Sequence, residues 1–128
     1  MPRFRGIFLL EPMASFVLYI QSDCYASPVL DDVLRFASAA LQLGHQINHL
    51  FFYQQAVQAI CADIDLPADE PDLAGRLIAF AESNQIPLLY CATAAEKRGF
   101  TKVRPGFTLA GLAEFGMRLE NADRVVQF

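Results

Sequence analysis

Ile86-Pro87-Leu88-Leu89-Tyr90-Cys91, running without a break into Ala92-Thr93-Ala94-Ala95-Glu96-Lys97-Arg98-Gly99, is the stretch of sequence whose reading decides the fold. The apolar run opens on a proline, where a missing N–H matters least, and reads as a strand buried on both faces. Strong helix formers follow at once, cations gather in the final turn, and Gly99 ends the helix. Cys91 is therefore expected as the last residue of a strand, at the N-terminus of a helix.

The same grammar extends outward in both directions. Phe16-Val17-Leu18-Tyr19-Ile20 is a short β-branched and aromatic run closed by the polar turn Gln21-Ser22-Asp23, and it reads as the first buried strand. Ser27-Pro28 supplies an N-cap oxygen and a first-turn proline for a helix carrying Leu30, Leu34, Ala37 and Leu41 as far as Gly44. Ile47 to Tyr53 is a second buried strand, which completes a parallel strand-helix-strand unit. A helical turn at Ala56 to Ile60 precedes an acidic stretch, Asp63 to Asp72, that reads as a solvated loop. Leu73, Leu77, Ile78 and Ala81 mark the next helix. Beyond Gly99, Thr108 is expected to cap a helix carrying Leu109, Leu112, Ala113 and Leu119, and Asp123 to Phe128 to form a terminal strand. Strands alternating with helices in this order predict an α/β fold, a doubly wound and mostly parallel sheet with helices on both faces. Functional sites in such folds lie at the carboxyl ends of strands.

Composition narrows the function classes. The chain has 128 residues, of which 54% are hydrophobic and only 19% charged, so part of the apolar surface is expected to face other subunits. No apolar run approaches the roughly 20 residues needed to span a bilayer. A formal charge of −4 without a Lys/Arg run argues against direct binding of nucleic acid. Glu11-Pro12 interrupts the short apolar patch near the N-terminus, so no export signal is expected. Three cysteines, Cys24, Cys61 and Cys91, form no C-x-x-C pair and have no His pair at zinc-ligand spacing. A reducing, cytoplasmic setting is expected, with no metal and no cofactor. Gly-rich phosphate loops, a nucleophile elbow and a calcium loop have no counterpart in the sequence.

Cys91 is the candidate catalytic residue. A thiolate is the reactive form of cysteine, and free N–H groups at a helix N-terminus stabilise it. From position alone, a buried and inert cysteine is an equal reading, because free cysteines are among the most buried residues. Cys24 follows the first strand and could face the same sheet edge as a resolving thiol, although an ordinary loop cysteine is favoured. Cys61 reads as structural. His45 and His49 span a helix-to-strand junction and are expected as turn and sheet residues, not as metal ligands. Lys97 and Arg98 suit the capping of carbonyls or the meeting of an anionic partner better than contact with the sulfur.

Over nearly all of Ser15 to Phe128 the chain resembles the TusD/DsrE family of sulfurtransferase subunits. The resemblance lies in Gly44-His45 leading to Phe51-Phe52-Tyr53, Cys91-Ala92-Thr93-Ala94-Ala95 with Arg98-Gly99, Gly106-Phe107-Thr108-Leu109-Ala110-Gly111-Leu112, and Asp123 to Phe128. It implies a sulfur relay: a persulfide arrives from a TusA-like donor, rests on Cys91, and passes to a TusE-like or DsrC-like acceptor. TusB-like and TusC-like subunits are implied as partners in a heterohexamer, with 2-thiouridine in tRNA as the end point. The alternatives are dissimilatory sulfur oxidation and a non-catalytic subunit of a DsrEFH-type complex. Gln21-Ser22-Asp23-Cys24-Tyr25 departs from the Gly-Pro-rich turn of TusD, so the loop beside the site is expected to differ in shape. Residues 1–12 have no counterpart in the family pattern. They are expected to be an extension, or to lie upstream of a true start at Met13, with 13–128 as one DsrE-like domain.

Overall fold

A computed structural model describes residues 14–128, and the expected extension at residues 1–12 lies outside them. Five strands form one all-parallel sheet in the order β4-β3-β2-β1-β5. They are β1 (Ser15–Ile20), β2 (Gln46–Phe52), β3 (Leu88–Cys91), β4 (Phe107–Ala110) and β5 (Arg124–Gln127). The connecting helices are α1 (Val29–Gln42), α2 (Leu73–Asn84), α3 (Ala92–Lys97) and α4 (Leu112–Arg118), with a 3-10 helix over Gln54–Ile60.

Strand alternation divides the interior into two layers. Leu18, Ile20, Leu50, Phe52 and Leu88 pack beneath α1 and α2, through Leu30, Val33, Ala37, Leu77 and Ala81. Phe51, Leu89 and Cys91 face the other way, onto Val57 and Ile60 of the 3-10 helix, Ala94 and Ala95 of α3, and Phe115 of α4. A bulge makes this division work in β2. Phe16 pairs with Ile47 and Val17 with His49, so Asn48 is the extra residue, and Ile47 and Leu50 reach the same core despite their odd spacing.

Three local expectations are corrected. Ser27 does not cap α1: Pro28 holds the cap position, while the Ser27 hydroxyl donates to the Asp23 carbonyl at 2.7 Å. Asp23 Oδ1 accepts instead from the N–H groups of Tyr25 and Ala26, turning the loop before the helix begins. Thr108 does not cap a helix either. Phe107 to Ala110 pair with Leu88 to Cys91 as the edge strand β4, and α4 starts only after Gly111. The open hydrogen-bonding edge of β3 outweighs the helical spacing of Leu109 and Leu112, a competition invisible to local pattern. Gly106 permits the entry into β4, with φ at +110° and Ile78 so close that an added Cβ would lie 2.8 Å from its Cγ2.

Asp72 is likewise more than part of a solvated loop. Its Oδ1 accepts from the Gly75 N–H at 3.1 Å as the N-cap of α2, and Arg104 grips both carboxylate oxygens at 3.0 and 2.8 Å. The Arg104 N–H also donates to the Ile60 carbonyl, and Cys61 bridges Val103. These contacts tie the segment after α3 to the 3-10 helix and to α2, so α3 is held at both ends.

Candidate active site

Register builds the site from below. Tyr19 lies beside Phe51, and Phe51 beside Leu89, so one row of side chains crosses three strands on the α3 face. Two residues further along each strand, Tyr53 and Cys91 point the same way and stand at the carboxyl ends of β2 and β3. Cys91 is 2% exposed, has extended backbone (φ −80°, ψ 116°), and occupies the N-cap position of α3. No hydrogen bond engages its thiol among the described residues. Phe115 lies across the row, its ring stacked 4.3 Å from Phe51 and 5.4 Å from Tyr19.

Above the thiol opens a cleft of about 380 Å³. Tyr53 and Gln54 form one wall, α3 the other, and Leu112 of α4 closes the end. The helix presents Thr93 with Lys97, and Ala94 with Arg98; each pair is four residues apart and shares a face. Arg98 donates to the Ala94 carbonyl at 3.1 Å and to Gln54 Oε1 at 3.4 Å, joining the two walls. Gln54 makes this contact from a left-handed backbone conformation (φ +53°), uncommon for a residue with a side chain and of the kind found at functional sites. Among the described residues, no carboxylate lines the cleft. Burial first, then the charges of Tyr53 and Cys91, push the Tyr19 hydroxyl above its usual range, so it carries its proton at neutral pH. The arrangement can shelter a soft nucleophile from water and hold negative charge at its mouth.

A protein-family model described as the DsrE/DsrF-like family matches residues 14–128. The chain belongs to the DsrE/DsrF-like family. Sulfurtransferase TusD of Pectobacterium carotovorum is 32% identical over 91% of this chain and all of its own length. The TusD homolog of Pseudomonas aeruginosa is 35% identical over 80% of this chain and 88% of its own. DsrE of Allochromatium vinosum is 29% identical over 88% of this chain and 97% of its own. The crystal structure of the YchN protein from E. coli superposes with a TM-score of 0.76 over 91% of this chain and 100% of that one, at 22% identity, which establishes the shared fold. Among the described residues no helix is long and apolar enough to cross a membrane.

Within this DsrE/DsrF-like frame, the structure separates the residues that the sequence singled out. Cys24 is buried on the α1 and α2 side of the sheet, with its thiol against the Ser22 and Ala56 carbonyls, so it does not meet Cys91. Burial pushes the Cys24 thiol up to about 12, which makes it inert at neutral pH. Cys61 lies half-buried beside the Asp72–Arg104 pair, away from the cleft. His49 is fully buried; its Nδ1 meets Asn48 Oδ1 at 2.8 Å, Nε2 has no partner among the described residues, and Phe115 packs edge-on at 5.9 Å. Burial and nearby Arg118 push His49 down to about 4, so it is a neutral, weakly basic imidazole, and it sits on β2 four residues before Tyr53, below the strand ends where Cys91 stands. His45 instead packs against Phe16. Among the described residues, no three His, Cys, Asp or Glu side chains are grouped as a metal site.

Tyr53, Gln54 and Leu112 belong to the site although pattern alone did not select them, and Tyr19 lies one row beneath. Tyr19 and Tyr53 read as ordinary strand aromatics, and only the register between strands sets them on the face that Cys91 shares. The one signal available was their place at strand carboxyl ends, which Cys91 shares.

Proposed function

We propose that the chain is a sulfurtransferase that carries sulfane sulfur as a persulfide on Cys91. The thiolate of Cys91 attacks the outer sulfur of a donor persulfide, a new S–S bond forms, and the donor leaves as its own thiolate. The reverse attack by an acceptor thiolate empties the site, and no external electrons are consumed. The observation that carries this reading is the placement of Cys91: a buried thiol at the end of β3, in a cleft that among the described residues is lined by two cations and no acid. Enclosure protects a persulfide from water and stray thiols, and Lys97 and Arg98 of the same cleft set positive charge against its anion.

The relatives named TusD favour a TusA-like donor, a TusE-like or DsrC-like acceptor, and tRNA 2-thiouridine as the destination of the sulfur. A cytoplasmic location goes with that role. TusB-like and TusC-like subunits would cover the exposed Leu109, Leu112 and Met117, which cluster around β4 and α4 beside the cleft. A role in dissimilatory sulfur oxidation is the second reading, favoured by the likeness to DsrE of Allochromatium vinosum. Mass spectrometry of the intact chain after incubation with a persulfidated donor tests the proposal. Wild type gains one sulfur and Cys91→Ser gains none while keeping its fold. Uptake that survives in Cys91→Ser refutes it.

A further inference from the structure

The cleft above Cys91 has a charge that the rest of the chain does not lead one to expect. The protein is acidic, with 14 Asp and Glu against 10 Lys and Arg, yet among the described residues two cations and no acid line this opening. Neither Lys97 nor Arg98 belongs to an ion pair among the described residues, whereas Arg35, Lys102, Arg104 and Arg118 each do. Arg98 uses two of its nitrogens on neutral oxygens, leaving its charge uncompensated. Thr93, four residues before Lys97 on the same helical face, adds a hydroxyl at the mouth. A helix of six residues spans about 9 Å, and side chains lean toward the helix N-terminus, so the cations at its far end stay within a few ångströms of a small molecule seated on the thiol.

Resting on the proposed persulfide role of Cys91, we infer that the cleft also takes a small anionic sulfane-sulfur donor of the thiosulfonate class, with thiosulfate as the simplest member. The sulfonate end lies against Lys97, Arg98 and Thr93, and the sulfane sulfur points down to Cys91. The Cys91 thiolate, its proton given to solvent, attacks the sulfane sulfur. One S–S bond forms as the S–S bond to the sulfonate sulfur breaks, and the electron pair leaves with sulfite. The products are Cys91 persulfide and one sulfite, with no oxidant or reductant required. Charge-assisted bonds to the oxyanion strengthen as charge builds on departing sulfite, so the same cations bind the substrate and ease the leaving group. The site is thereby loaded by a metabolite-sized anion as well as by a protein.

The reduced full chain is incubated with thiosulfate; sulfur on Cys91 is followed by intact mass and sulfite release is measured in parallel. Equimolar persulfide and sulfite are expected from wild type. Lys97→Gln, an exposed position, raises the half-saturating thiosulfate concentration roughly ten- to a hundredfold, the loss that follows removal of a hydrogen bond to a charged group. Arg98→Lys, which keeps the charge but loses the fork, has a smaller effect in the same direction. Binding is read separately from transfer: sulfate slows alkylation of Cys91 by neutral iodoacetamide beyond what chloride of equal ionic strength does, and Lys97→Gln abolishes that protection. Absence of sulfur from thiosulfate while a persulfidated protein donor still loads Cys91 overturns this inference and leaves the persulfide role standing. Failure of both donors overturns the persulfide role itself. Loading that is unchanged in Lys97→Gln and Arg98→Lys, or sulfate protection no greater than that of chloride, refutes the assignment of the cations.

Discussion

Phe115 is the residue by which α4 holds the sheet, and Phe115→Ala measures how far that contact guards Cys91. The helix has seven residues and buries none of them fully, so its own hydrogen bonds cannot keep it in place. Its anchor is the Phe115 ring, half-buried over Phe51, Tyr19 and His49 at 4.3, 5.4 and 5.9 Å. Full burial of a phenylalanine is worth about 3–5 kcal/mol on truncation to alanine, and partial burial here brings the expected loss to about 2 kcal/mol. That loss falls mainly on docking of α4, which carries Leu112 at the end of the cleft. A shift of about 2 kcal/mol raises the undocked population roughly thirtyfold. Because Cys91 is 2% exposed and Leu112 of α4 lines the cleft above it, the undocked form is expected to react faster than the docked one, and the alkylation rate under native conditions to rise by up to the same factor. Phe36→Ala is the control. Phe36 is a half-buried phenylalanine on the opposite face, ringed by Phe16 and Phe128, whose loss weakens the protein without touching α4. A Phe115→Ala rate within threefold of wild type, or a rise matched by Phe36→Ala, would show that α4 does not gate the thiol.

Neutral, buried His49 makes stability depend on pH: the unfolded chain takes up a proton below about 6.5 and the folded one does not until about 4, so stability falls by about 3 kcal/mol as pH drops through that window. Urea denaturation of wild type and His49→Leu at pH 7 and pH 4.5 checks this, since only wild type should show the fall. Asp72→Ala removes the α2 cap and the grip of Arg104 together, and a loss of about 1–2 kcal/mol is expected for a half-exposed group. Arg104 holds the Asp72 carboxyl below its usual range, so this contribution is present above the unfolded pKa and disappears as pH falls through the folded one; a mutant deficit that persisted in strong acid would contradict it. Gly106→Ala forces a Cβ against Ile78 at a strained φ and is expected to cost about 1–3 kcal/mol, measured by thermal melting, whereas an unchanged melting temperature would mean that the turn into β4 shifts freely.

Much of this protein was determined by sequence alone. Residues 86–99 state a buried strand, a cysteine and a capped helix in succession, and the same alternation along the chain implies a parallel sheet covered on both faces. The placement of Cys91 followed from those local rules, because strand end and helix start are both written in neighbouring residues, whereas its candidacy as the reactive thiol came from the family resemblance. Tertiary structure alone decided which side chains Cys91 meets. Tyr53 and Gln54 lie far from it in the chain and share its cleft only because β2 is set beside β3, which depends on the whole sheet. It also placed Cys24 behind the sheet, where burial silences its thiol, since the side on which a loop residue packs is not encoded in its neighbours. The strand at Phe107–Ala110 was hidden for the same reason: its helical spacing is local, whereas the open edge of β3 that captures it exists only once the sheet has formed.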